Sequence, residues 1–426
     1  MRPGPFSPGA DFPLTQSAAV LVFLLFARVG AFACVFAAAT CFAQSPEEVR
    51  RDAQMHLGPF YVTPRFAVEE FGVDTNVFHS ADAKRDFTFT IAPGAAVQVP
   101  FGRRAVVTTN ATSDVVYYQR YGSERSINPD VTLRTEFFLG RVEPFIEAGY
   151  LRSRQRPNFE IDARSLRRER PSRFGLRVRA SAKTTFEVAS DRRSVEFAAD
   201  ASFNNVHLQE TLNRVTRRTS VETRYEATPL TTVFVRTEST TDRFEFSPLR
   251  DADSFAVVPG VQFKARALVS GSARVGFRRF TPVNDGLAPF SGTVASASLS
   301  YTLQGVTRFT VTADRDLTYS YERLQPYYVV DGLGLAVRRQ VVGSIDISAS
   351  IQRQQYSYRD LLLPGASATD LNRVDTVHGW SAGVGYRLGN SMRAGIGLTF
   401  RERASNSARL RDYQGTRFIT TLDYEL

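Results

Sequence analysis

Met392-Arg393-Ala394-Gly395-Ile396-Gly397-Leu398-Thr399-Phe400-Arg401 is the stretch that decides the fold. Met392, Ala394, Ile396, Leu398 and Phe400 fall on one side of an extended chain, and Arg393, Gly395, Gly397, Thr399 and Arg401 on the other. Period two over ten residues, with one face apolar and one polar, describes a strand between two different solvents. The pattern recurs. Phe87, Phe89 and Ile91 alternate with Thr88, Thr90 and Ala92, and Phe174, Leu176 and Val178 with Arg173, Arg177 and Arg179. Ala295, Ala297, Leu299 and Tyr301 alternate with Ser296, Ser298, Ser300 and Thr302, and Val341 through Ile351 with Val342 through Gln352. Ten-residue alternating segments are the signature of a transmembrane β-barrel. The mean hydropathy of −0.21 fits, because only every second residue of such a strand meets lipid.

The connections narrow the class. Short turns are expected near Phe101–Arg103, Gly140–Arg141, Lys183, Thr228–Leu230, Ala265–Ala267, Gln304–Gly305, Arg338–Arg339 and Gly389–Asn390. Between them come long polar loops: Asp74–Arg85, Gln119–Pro129, Arg152–Pro171, Asp191–Leu212, Thr240–Ala252, Thr281–Ser291, Asp314–Pro326, Ser357–Arg373 and Glu402–Gln414. Strict alternation of short and long connections predicts an all-β, antiparallel, up-and-down transmembrane barrel of about eighteen strands, sixteen being the neighbouring even count. Both termini then lie in the periplasm and the long loops face outward. Past the N-terminal segment no run approaches 18 apolar residues, which excludes a helical membrane bundle.

The first 43 residues read as a secretory signal, with apolar runs Ala18–Phe26 and Val29–Phe42 around Arg28 and a cut expected after Ala43. As an uncleaved anchor the segment would hold Arg28 in hydrocarbon at a cost of about 2.5 kcal/mol. Cys34 and Cys41 both fall inside it, so the mature chain is expected to carry no disulfide and no thiol chemistry. Residues 44–59 form a short periplasmic segment: Ser45-Pro46-Glu47-Glu48 has the composition of a helix start, and Val49, Ala53 and Leu57 predict a short helix ended by Gly58-Pro59. Residues 60–426 are the barrel.

Aromatics gather near the expected strand ends: Tyr117, Tyr118, Tyr121, Tyr150, Phe244, Phe246, Tyr319, Tyr321, Tyr327, Tyr328, Tyr356 and Tyr358. They are expected to form interfacial girdles. Phe60-Tyr61-Val62-Thr63-Pro64-Arg65-Phe66, Phe71-Gly72-Val73-Asp74-Thr75-Asn76-Val77-Phe78 and Arg411-Asp412-Tyr413-Gln414-Gly415 together resemble the opening and close of the putative β-barrel porin 2 family. The resemblance implies an outer-membrane barrel and carries over no catalytic residue.

The formal net charge is +10, and of 53 basic residues only Lys84, Lys183 and Lys264 are lysine. Arginines spread over many strands with acids interleaved, and no basic helix, argue for a lumen and against nucleic acid. Inward positions are expected to include Arg134, Glu136, Glu143, Glu147, Arg173, Arg177, Arg179, Arg218, Glu222, Arg224, Glu226, Arg236 and Glu238. Such residues either pair across strands and stiffen the wall or form a cationic constriction favouring anions. Gly379-Trp380-Ser381-Ala382-Gly383 matches the G-x-S-x-G elbow, but His378 and Ser381 are three apart on a strand and point to opposite faces. No metal-ligand spacing and no phosphate loop occur, and neither an enzyme nor a cofactor is expected.

The leading expectation is an outer-membrane pore for passive diffusion of small polar or anionic solutes. The alternatives are a barrel component of polysaccharide export and a non-conducting surface barrel. Expected partners are outer-membrane lipid, lipopolysaccharide, the barrel assembly machinery and small solutes. Asp191–Leu212 and Arg152–Pro171 are the loops expected to fold inward and narrow the pore.

Overall fold

The computed structural model describes residues 46, 47, 49, 55–265, 267–361, 372–389, 391–407 and 411–425. The expected signal segment, with Cys34 and Cys41, lies outside the described residues. Eighteen strands follow in chain order: β1 (Phe60–Asp74), β2 (Asp86–Phe101), β3 (Ala105–Tyr118), β4 (Ser126–Phe137), β5 (Val142–Ser153), β6 (Arg167–Arg179), β7 (Thr184–Phe197), β8 (Arg214–Thr228) and β9 (Thr231–Phe244). The second half comprises β10 (Ala252–Phe263), β11 (Val269–Pro282), β12 (Phe290–Leu303), β13 (Thr307–Tyr319), β14 (Tyr327–Val342), β15 (Ile345–Arg359), β16 (Val374–Leu388), β17 (Met392–Ser405) and β18 (Tyr413–Glu425). Each strand pairs antiparallel with its neighbour in sequence, and β18 pairs with β1 in the register Phe66↔Tyr424 and Asp74↔Arg417. The barrel is closed, so every ladder donor and acceptor has a partner without water.

Seven of the eight short turns and all nine long connections fall where alternation places them. Glycine in the left-handed region makes the tight reversals possible, as at Gly140 (φ +74°) and at Gly305 (φ +71°) after Gln304 (φ +51°). The exception is the turn expected at Arg338–Arg339. Those residues sit inside β14, and the chain reverses at Gly343–Ser344. A two-residue turn pairs Val342 with Ile345 and would by itself swap odd and even, but a bulge between Gln340 and Val342 restores the parity, with Gln340 opposite Asp346. The alternation from Val341 to Gln352 therefore runs through the hairpin without a break. The strands also outrun the apolar pattern at their outer ends, which shortens the loops: residues 154–166 join β5 to β6, and 198–213 join β7 to β8. At the N-terminus Pro46, Glu47 and Val49 are helical, but Met55–Leu57 is a strand folded back on Phe60–Val62, so the predicted helix does not reach Leu57.

Apolar side chains at alternate positions face outward, including Phe174, Leu333 and Ile396, each more than 60% exposed. The girdle assignment needs correction. Tyr118, Phe244, Tyr321, Tyr327, Tyr328, Tyr356 and Tyr358 are buried within the mouth. Tyr118, Phe244, Tyr328, Tyr356 and Tyr358 hold inward positions at strand ends, where the loops fold back onto them. Of the group, Tyr150 and Phe246 are exposed.

Inside the wall two large rings lie flat over glycines on the next strand: Phe145 over Gly175, and Phe234 over Gly260. A Cβ at Gly175 would stand 2.5 Å from Phe145 Cζ and 2.8 Å from the Val188 carbonyl oxygen. Gly175→Val should therefore destabilise the folded barrel by about 1–3 kcal/mol through overpacking, read as a lowered urea midpoint in lipid vesicles. An unchanged midpoint would show that the ring has room to leave the wall.

Candidate functional site

Every inward position named from the sequence lies on the inward-facing side of its strand. Arg134 and Glu136 stand on β4, Glu143 and Glu147 on β5, and Arg173, Arg177 and Arg179 on β6. Arg218, Glu222, Arg224 and Glu226 form a row on β8, with Arg236 and Glu238 beside them on β9. The ladder brings them into one lattice. Arg134 meets Glu136 at 2.7 Å and Glu147 at 2.9 Å. Glu143 holds Arg177 at 3.3 Å and also Arg179. Arg236 reaches Glu222 at 2.6 Å, Arg224 shares that carboxylate, and Arg218 approaches Glu238 at 3.8 Å. Phe145 lies beneath the guanidinium groups of Arg134, Arg173 and Arg177 at 4.5, 5.5 and 5.9 Å from its ring centre.

The lattice includes residues that the sequence reading missed. Glu187 on β7 bridges Arg173 at 2.7 Å and Arg177 at 3.2 Å, and Asp191 stands 3.5 Å from Arg173. Glu169 binds Arg167 at 2.7 Å and Arg193, while Arg278 joins Glu238 at 2.8 Å to Asp316. The signal was present in the parity of Glu187, Ala189, Asp191 and Arg193 against Phe186, Val188 and Ser190. Reading Asp191 as the start of a loop hid it. Cross-strand ion pairs contribute about 0.2–1 kcal/mol each, so the lattice stiffens the wall more than it stabilises the fold.

A cavity of about 210 Å³ opens against β6–β14. Its inward charged side chains are Arg193, Arg214, Arg218, Arg236, Arg274 and Arg278 against Glu169, Glu238, Asp242, Asp314 and Asp316. Arg214 donates to the Leu212 carbonyl at 3.1 Å. Arg274 has no ion pair or side-chain hydrogen bond among the described residues, and shares the cavity wall with Glu238 and Asp316 at longer range.

The mouth is narrowed by the two loops expected to fold inward. Residues 154–166 leave β5 and cross to the far side, since β14 is half-way round an eighteen-strand ring. Asn158 Nδ2 donates to Tyr328 Oη of β14 at 3.2 Å, and Arg403 Nη1 of β17 to the Phe159 carbonyl at 3.1 Å. Ser320 Oγ donates to Glu160 at 2.5 Å. Ile161, wholly buried, packs with Leu208 and Leu212 of the 198–213 loop and with Tyr321. The far anchor is a buried cluster: Asp375 accepts from Arg373 Nε at 3.0 Å and Arg403 Nη2 at 2.6 Å, and Arg373 lies 3.8 Å over the Tyr358 ring.

A family model described as putative β-barrel porin 2 matches residues 53–425. The chain belongs to this family. It is an outer-membrane β-barrel of porin type, with the alternating exterior and closed sheet that this location requires. Solved structures of similar fold include Pseudomonas aeruginosa OpdK with vanillate, at 9% identity over 86% of this chain and 99% of that one, with a TM-score of 0.48. OccK2 (OpdF) from P. aeruginosa is 11% identical over 86% and 98%, with a TM-score of 0.48. The P. aeruginosa siderophore receptor PirA is 10% identical over 86% and 80%, with a TM-score of 0.41. No curated protein matches the chain. The apparent nucleophile elbow is part of this barrel wall: Ser381 is mid-strand on β16 and shares a 2.7 Å hydrogen bond with Ser350, while His378 is exposed on the other face.

Burial of the crossing segment 154–166, a strap over the mouth, shifts its carboxyl groups. Desolvation, opposed by Arg373, raises Glu160 to about 7, and desolvation, opposed by Arg403 and Arg156, raises Asp162 to about 6. Groups raised in the docked strap favour docking while protonated. That stabilisation is complete below their ordinary values of 4.5 and 3.8 and fades as pH rises through about 6 and 7. Open-channel conductance in planar bilayers should therefore increase between about pH 4.5 and 7, and Glu160→Gln should flatten the upper part of that rise. A conductance that falls over this interval would refute the assignment.

Proposed function

We propose that this porin-family barrel conducts small polar solutes passively across the outer membrane and prefers anions. The observation that carries the reading is Arg274, a guanidinium without an ion pair among the described residues, on a cavity wall where six inward arginines face five carboxylates. Ion pairs cancel most of the lattice at short range and leave a positive excess on the path of the solute. Rings of arginine act in this way in anion-selective pores. Polar solutes of either sign can pass a wall whose own charges are satisfied, so the lattice supports conduction and Arg274 supports the preference.

The strap favours a second reading, a surface barrel that conducts little while the mouth is bridged. The two diverge in planar bilayers. Under a salt gradient the diffusion reading expects open-channel current with a reversal potential on the anion side. A charge about 10 Å from the path, at an effective dielectric of about 30, changes the energy of a passing ion by about 1 kcal/mol. Arg274→Glu should accordingly lower the anion-to-cation permeability ratio about fivefold or more. Silence from protein shown to be folded and inserted would favour the surface barrel, and current without anion preference would remove Arg274 from the account.

A further inference from the structure

Three arginine doublets, Arg167-Arg168, Arg192-Arg193 and Arg217-Arg218, occupy β6, β7 and β8. Neighbours on a strand face opposite ways, so each doublet places one guanidinium inside the barrel and one outside. The inner three are matched: Arg167 and Arg193 bind Glu169, and Arg218 approaches Glu238. The outer three are exposed and have no ion pair or side-chain hydrogen bond among the described residues. Arg152 of β5 joins them, exposed, unpaired and directly across the ladder from Arg168, as Arg192 is from Arg217. Like charges held opposite each other in a sheet are unfavourable without a counter-charge.

On the outward faces of β5–β8 the sole acid is Glu196, which stands across the ladder from Arg168 and gives its carboxylate to Arg170 at 2.6 Å, one acid for five arginines. Elsewhere on the rim Arg243 is matched with Asp253 at 2.7 Å and Arg315 with Asp331, while Arg279, Arg353 and Arg359 stand singly, exposed and without an ion pair among the described residues. The surplus is densest on β5–β8, where five outward arginines on adjacent strands share one acid. All five outer arginines lie within six residues of the extracellular ends of their strands. Ser172, Ser190 and Thr219 follow on the same faces, and then the exposed apolar belt of Phe174, Leu176, Val188 and Val221.

We propose that this patch is a binding site for the phosphorylated glycolipid of the outer leaflet. The guanidinium pairs receive its sugar phosphates in forked, charge-assisted hydrogen bonds. The hydroxyl row meets the amide and sugar groups below, and the acyl chains lie on the apolar belt. One amphiphile thus satisfies both the unpaired cations and the lipid-facing surface beneath them, which a soluble polyanion or an acidic protein loop would leave bare. The site depends on the orientation of the barrel and is independent of what the lumen conducts.

The test uses the full folded barrel in detergent micelles. Bound lipid is counted by native mass spectrometry during titration with bisphosphorylated lipid A and with its phosphate-free form. The expected result is binding of the bisphosphorylated form about tenfold tighter or more. In the triple variant Arg168→Gln, Arg192→Gln, Arg217→Gln that preference should collapse, with single-channel conductance unchanged. The pair Arg243→Gln and Arg315→Gln, from matched positions, should retain it. Equal binding of the two lipids by the unaltered chain overturns the proposal, whatever the triple variant does. A triple variant that keeps the full preference also overturns it.

Discussion

Closure of the sheet is the constraint on which everything else rests. In hydrocarbon no water is present to pair a free strand edge, so β18 must return to β1 and complete the ring. Closure gives every strand residue one of two environments, and period two does the sorting. Phe174 goes to lipid and Arg173 to the interior because they are adjacent, and a slip of one residue would exchange them.

The interior then has its own problem. A ring of eighteen strands is too wide for side chains from its walls to meet in the middle. Arginines and glutamates instead pair along the wall, with Phe145 flattened over Gly175 beneath three guanidinium groups. The open mouth is bridged by backbone. Residues 154–166 cross to β14 and β17 and bury Ile161 against the 198–213 loop, while Asp375 holds Arg373 and Arg403 together at the far end. Removing one member of such a buried cluster typically costs about 3–5 kcal/mol, so the anchor is stiff even though the loop lacks regular structure.

Much of this was legible. Strand number, direction and closure followed from alternation and connection length, and the lattice members of β4–β6, β8 and β9 from parity. The failures have physical causes. The reversal at Gly343–Ser344 was invisible because the bulge beside it, between Gln340 and Val342, cancels the parity change of a two-residue turn, so polar Arg338-Arg339 looked like the break. The tyrosines of the mouth looked like a girdle because an aromatic at a strand end suits lipid interface and loop core equally. Tyr328 and Tyr358 are inside because the strap and the Arg373 cluster cover them.

The sequence by itself determined which residues face lipid and which face the lumen, because that sorting depends only on the neighbouring residue and the solvent on each side. Tertiary structure alone decided which arginine meets which carboxylate, that Arg274 is left without an ion pair among the described residues, and that residues 154–166 reach the opposite wall. Those outcomes depend on depth, stagger and the distance across a closed ring. No local pattern encodes them, since they come into being only when the first strand meets the last.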